Sequence, residues 1–270
     1  MTIITRNRLF LISRILSFCV YITNIGAFIF SYINKSISAP LAIFEPKFFL
    51  FKYSFAAVLI SIFVFLCYTL VTQFFVFDNF VRTRATEILF FSTFLLGCLS
   101  ETFRLFLPIT GLASSFSIMY IVLGKTIIFG RLLCPLSLLF ITLMSEPEQR
   151  MNEERNLTVI ILVSMIFCSR IPINSTIVTK FCTFKWGYSS FITMFRLLVT
   201  AIASISIFIH AFKTDFSDAK KMATGFTLMS LGYLILCATD NFAKLTAGTA
   251  LLVFGTYQYL VNLHKKYLWI

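Results

Sequence analysis

Apolar runs long enough to cross a lipid bilayer recur along the whole chain, and they constrain its fold more than any other feature. Residues 53–77 contain no Asp, Glu, Lys or Arg. About 20 apolar residues in a helix cover the roughly 30 Å of hydrocarbon in a bilayer. The chain is 59% hydrophobic and 13% charged, whereas a soluble domain carries about 25% charged residues. We therefore predict a single integral membrane domain, residues 1–270, of the all-α class.

The apolar runs predict a polytopic transmembrane helical bundle of eight spans. These cover residues 9–33, 53–77, two segments between 87 and 145, 157–178, 188–212, 222–239 and 245–263. A turn at residues 108–111 separates the two segments between 87 and 145, and Asp240 marks the break between the last two spans.

Two of the predicted spans contain a proline. In the fourth span, Pro135 predicts a bent helix, and the alternative is that residues 132–144 lie along the membrane surface. In the fifth span, Arg170 and Pro172 predict an irregular outer half, which protein or water must cover at membrane depth.

The segments between the runs are short. Residues 34–52 have an apolar middle that is suited to the membrane interface, and the charged stretch 146–156 is expected in water. Trp186 and Trp269 are expected to anchor the chain at the interface.

Basic residues are distributed unevenly between the two sides of the predicted bundle. With both termini on one side, the flanks on that side carry eleven Lys or Arg residues and the opposite flanks carry six. Cytoplasmic flanks are enriched in Lys and Arg. The distribution therefore predicts that both termini are cytoplasmic, in the cell (inner) membrane.

Several charged residues lie inside the predicted spans, mostly towards the outer side. Ionisable groups in hydrocarbon are unfavourable, so they face a partner, a water-filled cavity or a ligand. The first segment between residues 87 and 145 holds Glu101 and Arg104, and the second holds Lys125 and Arg131. Embedded bases outnumber embedded acids, which leaves positive charge that needs a partner.

We predict that the embedded bases form an outward-facing cationic cavity for an anionic solute or a lipid headgroup. Arginine suits this task because its guanidinium binds carboxylate or phosphate with two hydrogen bonds. The candidate ligand-binding residues are Glu101, Arg104, Lys125, Arg170, Arg196, Asp240 and Lys244. The alternative is structural: the bases pair with Glu101, Asp240 and backbone carbonyls, or reach to lipid phosphates.

Motifs of other functional classes are missing from the sequence. The net charge of +12 is spread between apolar runs and indicates membrane-surface attraction, so we expect no nucleic-acid partner. The seven cysteines form no C-x-x-C motif, and we expect neither a metal nor a cofactor. No G-x-S-x-G or H-E-x-x-H motif of a hydrolase occurs.

Three functions remain. The first is transport or binding of an anion, with membrane lipids as partners. The second is a non-catalytic sensory or assembly component that works through a membrane-protein partner. The third is a membrane enzyme acting on lipid-linked substrates.

Overall fold

The computed structural model describes residues 3–37, 52–81, 83, 85–110, 118–145, 153–214 and 218–268. The helices are α1 (Ile3–Ile33), α2 (Phe55–Phe80), α3 (Glu87–Ser100), α4 (Phe106–Ile109), α5 (Ile118–Leu143), α6 (Glu153–Arg170), α7 (Ser189–Lys213), α8 (Ala219–Cys237) and α9 (Phe242–Leu268). A 3-10 helix, Glu101–Leu105, joins α3 to α4. Strands β1 (Ile173–Val178) and β2 (Phe184–Trp186) form an antiparallel β hairpin between α6 and α7. The all-α class is confirmed.

Contacts at the helix ends show that the long helices run alternately up and down. At the end that holds the N-terminus, Arg6 donates a hydrogen bond to the Phe80 carbonyl at 3.2 Å. At the same end, Lys266 contacts Glu87 at 3.1 Å. At the opposite end, the Ser54 amide donates to the Asp240 carbonyl at 2.9 Å. We call this opposite end the hairpin end, because it carries the β hairpin.

Among the described residues, five helices are long and apolar enough to cross a membrane. They are Ile4–Ile33, Phe55–Phe80, Glu87–Ile109, Ile118–Leu143 and Ser189–Lys213. Large apolar side chains on the outer face of α7, such as Leu198 and Ile205, are more than half exposed. An apolar surface of this kind fits a lipid environment, so the protein has the characteristics of an integral membrane protein.

The fifth predicted span, residues 157–178, is helical only as far as Arg170, and the part predicted to be irregular forms a β strand instead. Helix α6 ends at Arg170, and the next residues form β1, which pairs with β2. Pro172 explains the stop, because proline lacks an amide hydrogen and disfavours the helical conformation of the residue before it. Trp186, the expected interface anchor, lies in β2.

The fourth predicted span is one helix. Helix α5 continues through Pro135 to Leu143, and Leu138 and Ile141 in its second half are fully buried. An unbroken helix with a buried second half supports the predicted helix over the alternative of a surface segment at 132–144. The turn predicted at residues 108–111, before α5, begins later than expected, because Pro108 still belongs to helix α4. Gly111, most of the 34–52 connector, residues 146–152 and Trp269 lie outside the described residues.

Glycines bring two pairs of helices into backbone contact. A Cβ atom on Gly232 of α8 would lie 2.4 Å from the Leu252 nitrogen of α9, and one on Gly255 would lie 2.3 Å from the Met229 nitrogen. On α5, a Cβ atom on Gly130 would lie 1.5 Å from the Ser100 hydroxyl of α3. Small residues allow this close approach of helices in membranes, and the α3–α5 contact positions the candidate site.

Candidate functional site

The candidate site is centred on Glu101, which begins the 3-10 helix after α3. A 3-10 helix has three residues per turn, so residues i and i+3 lie above one another. Arg104 is therefore beside Glu101, and its Nη1 lies 3.3 Å from Glu101 Oε2. Both side chains are fully buried.

The close approach of α3 and α5 brings a second arginine to the same carboxylate. Arg131 follows Gly130, the glycine at the contact, and its Nε donates to Glu101 Oε1 at 2.6 Å. Its Nη2 donates to Glu101 Oε2 at 3.0 Å. The guanidinium carbon of Arg131 also lies 4.9 Å from the ring centroid of Trp186 in β2.

Arg104 fixes the tip of the β hairpin. Its Nε and Nη2 donate to the Phe181 carbonyl at 2.9 and 2.6 Å. Because these donors are buried and charged, their hydrogen bonds are among the stronger kind in proteins. The Glu101 carboxylate thus positions both an arginine that holds the hairpin and an arginine on α5.

Arg196 of α7 is the third arginine of the cluster, which we define as Glu101, Arg104, Arg131 and Arg196. It is close enough to Glu101 for an electrostatic interaction, and its guanidinium carbon lies 5.6 Å from the Tyr233 ring centroid. Its side chain is buried, and Nε and Nη2 have no hydrogen-bond partner. Three arginines therefore share one carboxylate, and the least well paired is Arg196.

A cavity of about 600 Å³ adjoins this cluster at the hairpin end, between α5, α7, α8 and the β hairpin. Arg131 and Arg196 line it, together with hydroxyl-bearing and basic side chains: Thr179, Thr183, Lys185, Ser189 and Thr193. Lys185, Ser189 and Thr193 are exposed and so mark the opening. The cavity offers cationic groups at its base and hydrogen-bonding groups towards its rim.

Asp240 and Lys244 form a separate ion-pair group with Lys180 of the hairpin tip. Asp240 Oδ2 accepts from Lys180 Nζ at 2.7 Å, and Oδ1 accepts from Lys244 Nζ at 2.8 Å. Burial alone would raise the pKa of Asp240, but the hydrogen bonds and charges of the two lysines outweigh it and lower that pKa. This group fastens the hairpin tip to the break between α8 and α9.

Lys125 and Arg170 do not line the cavity. Lys125 Nζ donates to the carbonyls of Cys168, Ser169 and Ile171 at 2.8, 3.0 and 2.5 Å. These groups belong to the C-terminal end of α6, where backbone carbonyls lack helical partners. Lys125 therefore caps a helix. Arg170 is exposed on the other side of α7.

The structure thus brings Glu101, Arg104 and Arg196 together and adds Arg131 and Trp186, which the candidate list lacked. Arg131 was visible in the sequence as an embedded charge of the second segment. No sequence pattern linked it to Glu101, because the link depends on the tertiary contact at Gly130. Across the described ranges, no three His, Cys, Asp or Glu side chains are grouped as metal ligands would be.

The fold and the site together define an all-α protein with helices fit to span a membrane and a buried arginine cluster beside a polar cavity. Comparisons of the chain with family models, with curated proteins and with solved structures found no match.

Proposed function

We propose that this protein binds, and as a membrane transporter carries, an anionic solute or lipid headgroup in the cavity at the hairpin end. The proposal includes eight membrane crossings, with α6, α8 and α9 added to the five long apolar helices. It also places both termini in the cytoplasm, so that the cavity opens to the outer face of the cell membrane. The alternating helix directions support this arrangement.

The observation that carries the proposal is the state of Arg196. Two of its buried nitrogens have no hydrogen-bond partner, and its side chain lines the cavity. An unpaired buried charge is strongly unfavourable, whereas an anion supplied from the cavity would pair with it. A guanidinium also presents a planar pair of donors that matches a carboxylate or a phosphate.

The neighbours of Arg196 favour the same ligand chemistry. Glu101 is already engaged by Arg131 and Arg104, so the cluster retains excess positive charge. The hydroxyls of Ser189 and Thr193 lie on the same helix as Arg196 and line the same cavity. The Ser189 hydroxyl can donate to a remaining oxygen of a bound anion, whereas the Thr193 hydroxyl donates to the Ser189 carbonyl at 2.8 Å.

Anion-induced thermal stabilisation tests the proposal. The protein in an uncharged detergent is heated with inorganic phosphate, succinate or dihexanoyl phosphatidate, because a ligand that binds the folded state raises the melting temperature. We expect at least one probe to stabilise the wild type and Arg196→Met to abolish the effect. Arg8→Met removes an exposed arginine at the other end and should leave it unchanged.

The pattern of probes separates the two anion sources. Stabilisation by phosphate or succinate indicates a free solute, and stabilisation by dihexanoyl phosphatidate alone indicates a lipid headgroup. No stabilisation by any probe, or an equal effect on wild type and Arg196→Met, would refute an anion site at this arginine.

A second candidate function is that of a non-catalytic assembly component in a membrane complex. It is favoured by α1, whose best membrane-spanning stretch is 17% buried within the chain, against 89% for Glu87–Ile109. A helix so little covered has a long face free for a partner helix. Co-purification of a stoichiometric membrane protein that is lost when α1 is replaced by an unrelated span would support this function.

A further inference from the structure

An apolar groove of about 450 Å³ lies between α5, α6 and α7. The groove and the cationic cavity have no lining residue in common, and they use different sides of α7. Phe191 and Phe195 line the groove, while Ser189 and Thr193, on the other side of the helix, line the cavity.

One face of α6 supplies a wall of this groove that ends in a charge. Val163, Phe167 and Arg170 are spaced at i, i+4 and i+7, which places them along a single helix face. At 1.5 Å per residue, this wall runs about 10 Å from Val163 to Arg170. Arg170 is the last residue of α6 and Tyr188 immediately precedes α7, so the charged end of the groove is at the hairpin end.

Arg170 has no structural task within the described part of the chain. It is exposed, and no described residue forms a hydrogen bond, ion pair or ring contact with it. The usual role of a basic residue at a helix C-terminus is to pair with the last carbonyls. Here Lys125 of α5 already pairs with them. The charge of Arg170 is thus left for a group outside the chain.

We propose that this groove binds an acyl chain of an anionic phospholipid, with the lipid phosphate on Arg170. The groove walls are apolar and flanked by Phe167 and Phe191, which are 58% and 67% exposed, as expected for side chains among acyl chains. An arginine at the end of a membrane-embedded helix reaches the headgroup layer, where anionic lipids supply the opposite charge. The acyl chain of such a lipid therefore matches the apolar groove, and its phosphate matches the charge of Arg170 at the end of the groove. This site does not depend on the anion cavity, but it rests on the proposed membrane crossing of α6.

Native mass spectrometry of the detergent-purified protein, titrated with lysophosphatidate, lysophosphatidylcholine or glycerol 3-phosphate, tests the proposal. We expect the wild type to bind lysophosphatidate in preference to lysophosphatidylcholine, and to bind glycerol 3-phosphate, which has no acyl chain, much more weakly. Arg170→Gln should weaken lysophosphatidate binding about tenfold or more, the loss expected for a hydrogen bond to a charged group. Arg8→Gln is the matched control and should not change it.

A second variant tests the groove and leaves the charge in place. Val163→Phe narrows the groove and should also weaken lysophosphatidate binding. If both variants bind lysophosphatidate as the wild type does, or if the wild type does not distinguish the two lysolipids, the proposal is wrong. A bound protein in place of lipid would show as added mass of a second chain and would also overturn it. Arg196→Met should leave this binding intact, so the two anion sites are judged separately.

Discussion

Glu101→Gln is the substitution that tests most directly how the cluster is held together. The carboxylate accepts three hydrogen bonds from Arg104 and Arg131, and none of the three side chains is more than 6% exposed. Glutamine keeps the shape but removes the charge, and its amide NH₂ turns a donor towards donors.

The magnitude follows from this geometry. Removing one partner from a buried ion pair destabilises a protein by about 3–5 kcal/mol, because the other charge is left without compensation. In Glu101→Gln, Arg104 keeps its hydrogen bond to the Phe181 carbonyl, whereas Arg131 keeps its cation–π contact with the Trp186 ring. We therefore expect a loss of about 3–5 kcal/mol. Arg131→Gln should lose less, about 2–3 kcal/mol for two hydrogen bonds to a charged group, since Glu101 keeps Arg104.

Unfolding in dodecyl maltoside micelles titrated with sodium dodecyl sulfate, followed by circular dichroism, measures these losses. The double variant Glu101→Gln, Arg131→Gln should lose less than the sum of the single variants by about 1–3 kcal/mol, as for residues in direct contact. Asp218→Asn removes a more exposed carboxylate, paired with Lys221 at 2.8 Å, and should not shift the transition. A Glu101→Gln loss below about 1 kcal/mol, with additive losses in the double variant, would refute the assignment of Glu101 as the centre of the cluster.

Three further predictions concern the hairpin and the glycine contacts. Asp240→Asn should increase hydrogen exchange at residues 179–183 at neutral pH. Because the pKa of Asp240 is lowered from its ordinary value of 3.8, the stabilisation by its ion pairs is present above about pH 4, and the difference in exchange between variant and wild type should disappear as the pH falls through the lowered pKa. Burial raises the pKa of Cys182 to about 11 although Arg104 opposes this, so a water-soluble maleimide should label Cys182 slowly at pH 8. Arg104→Met should release the Phe181 carbonyl and increase hydrogen exchange at residues 179–183, a readout that does not depend on the thiol pKa; unchanged exchange would show that Arg104 does not hold the tip. Gly232→Val should destabilise the protein by about 1–3 kcal/mol through overpacking against Leu252. The control Gly26→Ala, with nothing within 4 Å of the new Cβ, should stabilise the protein by about 0.5–1 kcal/mol, and equal effects of the two substitutions in the same micelle titration would contradict the close α8–α9 contact.

The helical class and most helix positions follow from the sequence because the apolar runs are long and uninterrupted. The predicted break near Asp240 agrees with the end of α8 and the start of α9. The β hairpin could not be predicted, because its strands are short and β1 falls within residues 157–178, which the sequence predicts as one span. Pro172 did indicate where helix α6 ends.

The sequence indicated the residue types of the candidate site, but not which individual residues form it. Charge inside apolar runs indicated Glu101, Arg104 and Arg196, which the structure brings together. It could not distinguish Lys125, which caps α6, from Arg131, which pairs with Glu101. That distinction depends on which faces of α3, α5 and α6 meet, and the meeting is set by glycines whose contacts are formed only in the folded chain.

The backbone contact between α8 and α9 has a consequence for how the chain is made. Among the described helices, neither belongs to the five that are apolar and long enough to cross a membrane, yet Gly225, Gly232 and Gly255 hold the two together along their length. Helices of this kind gain from entering the lipid as a joined pair, since each then covers the polar groups of the other. If α8 and α9 cross the membrane as proposed, α8 is expected to remain at the insertion machinery during synthesis until α9 has emerged from the ribosome, so that the last two helices leave it together.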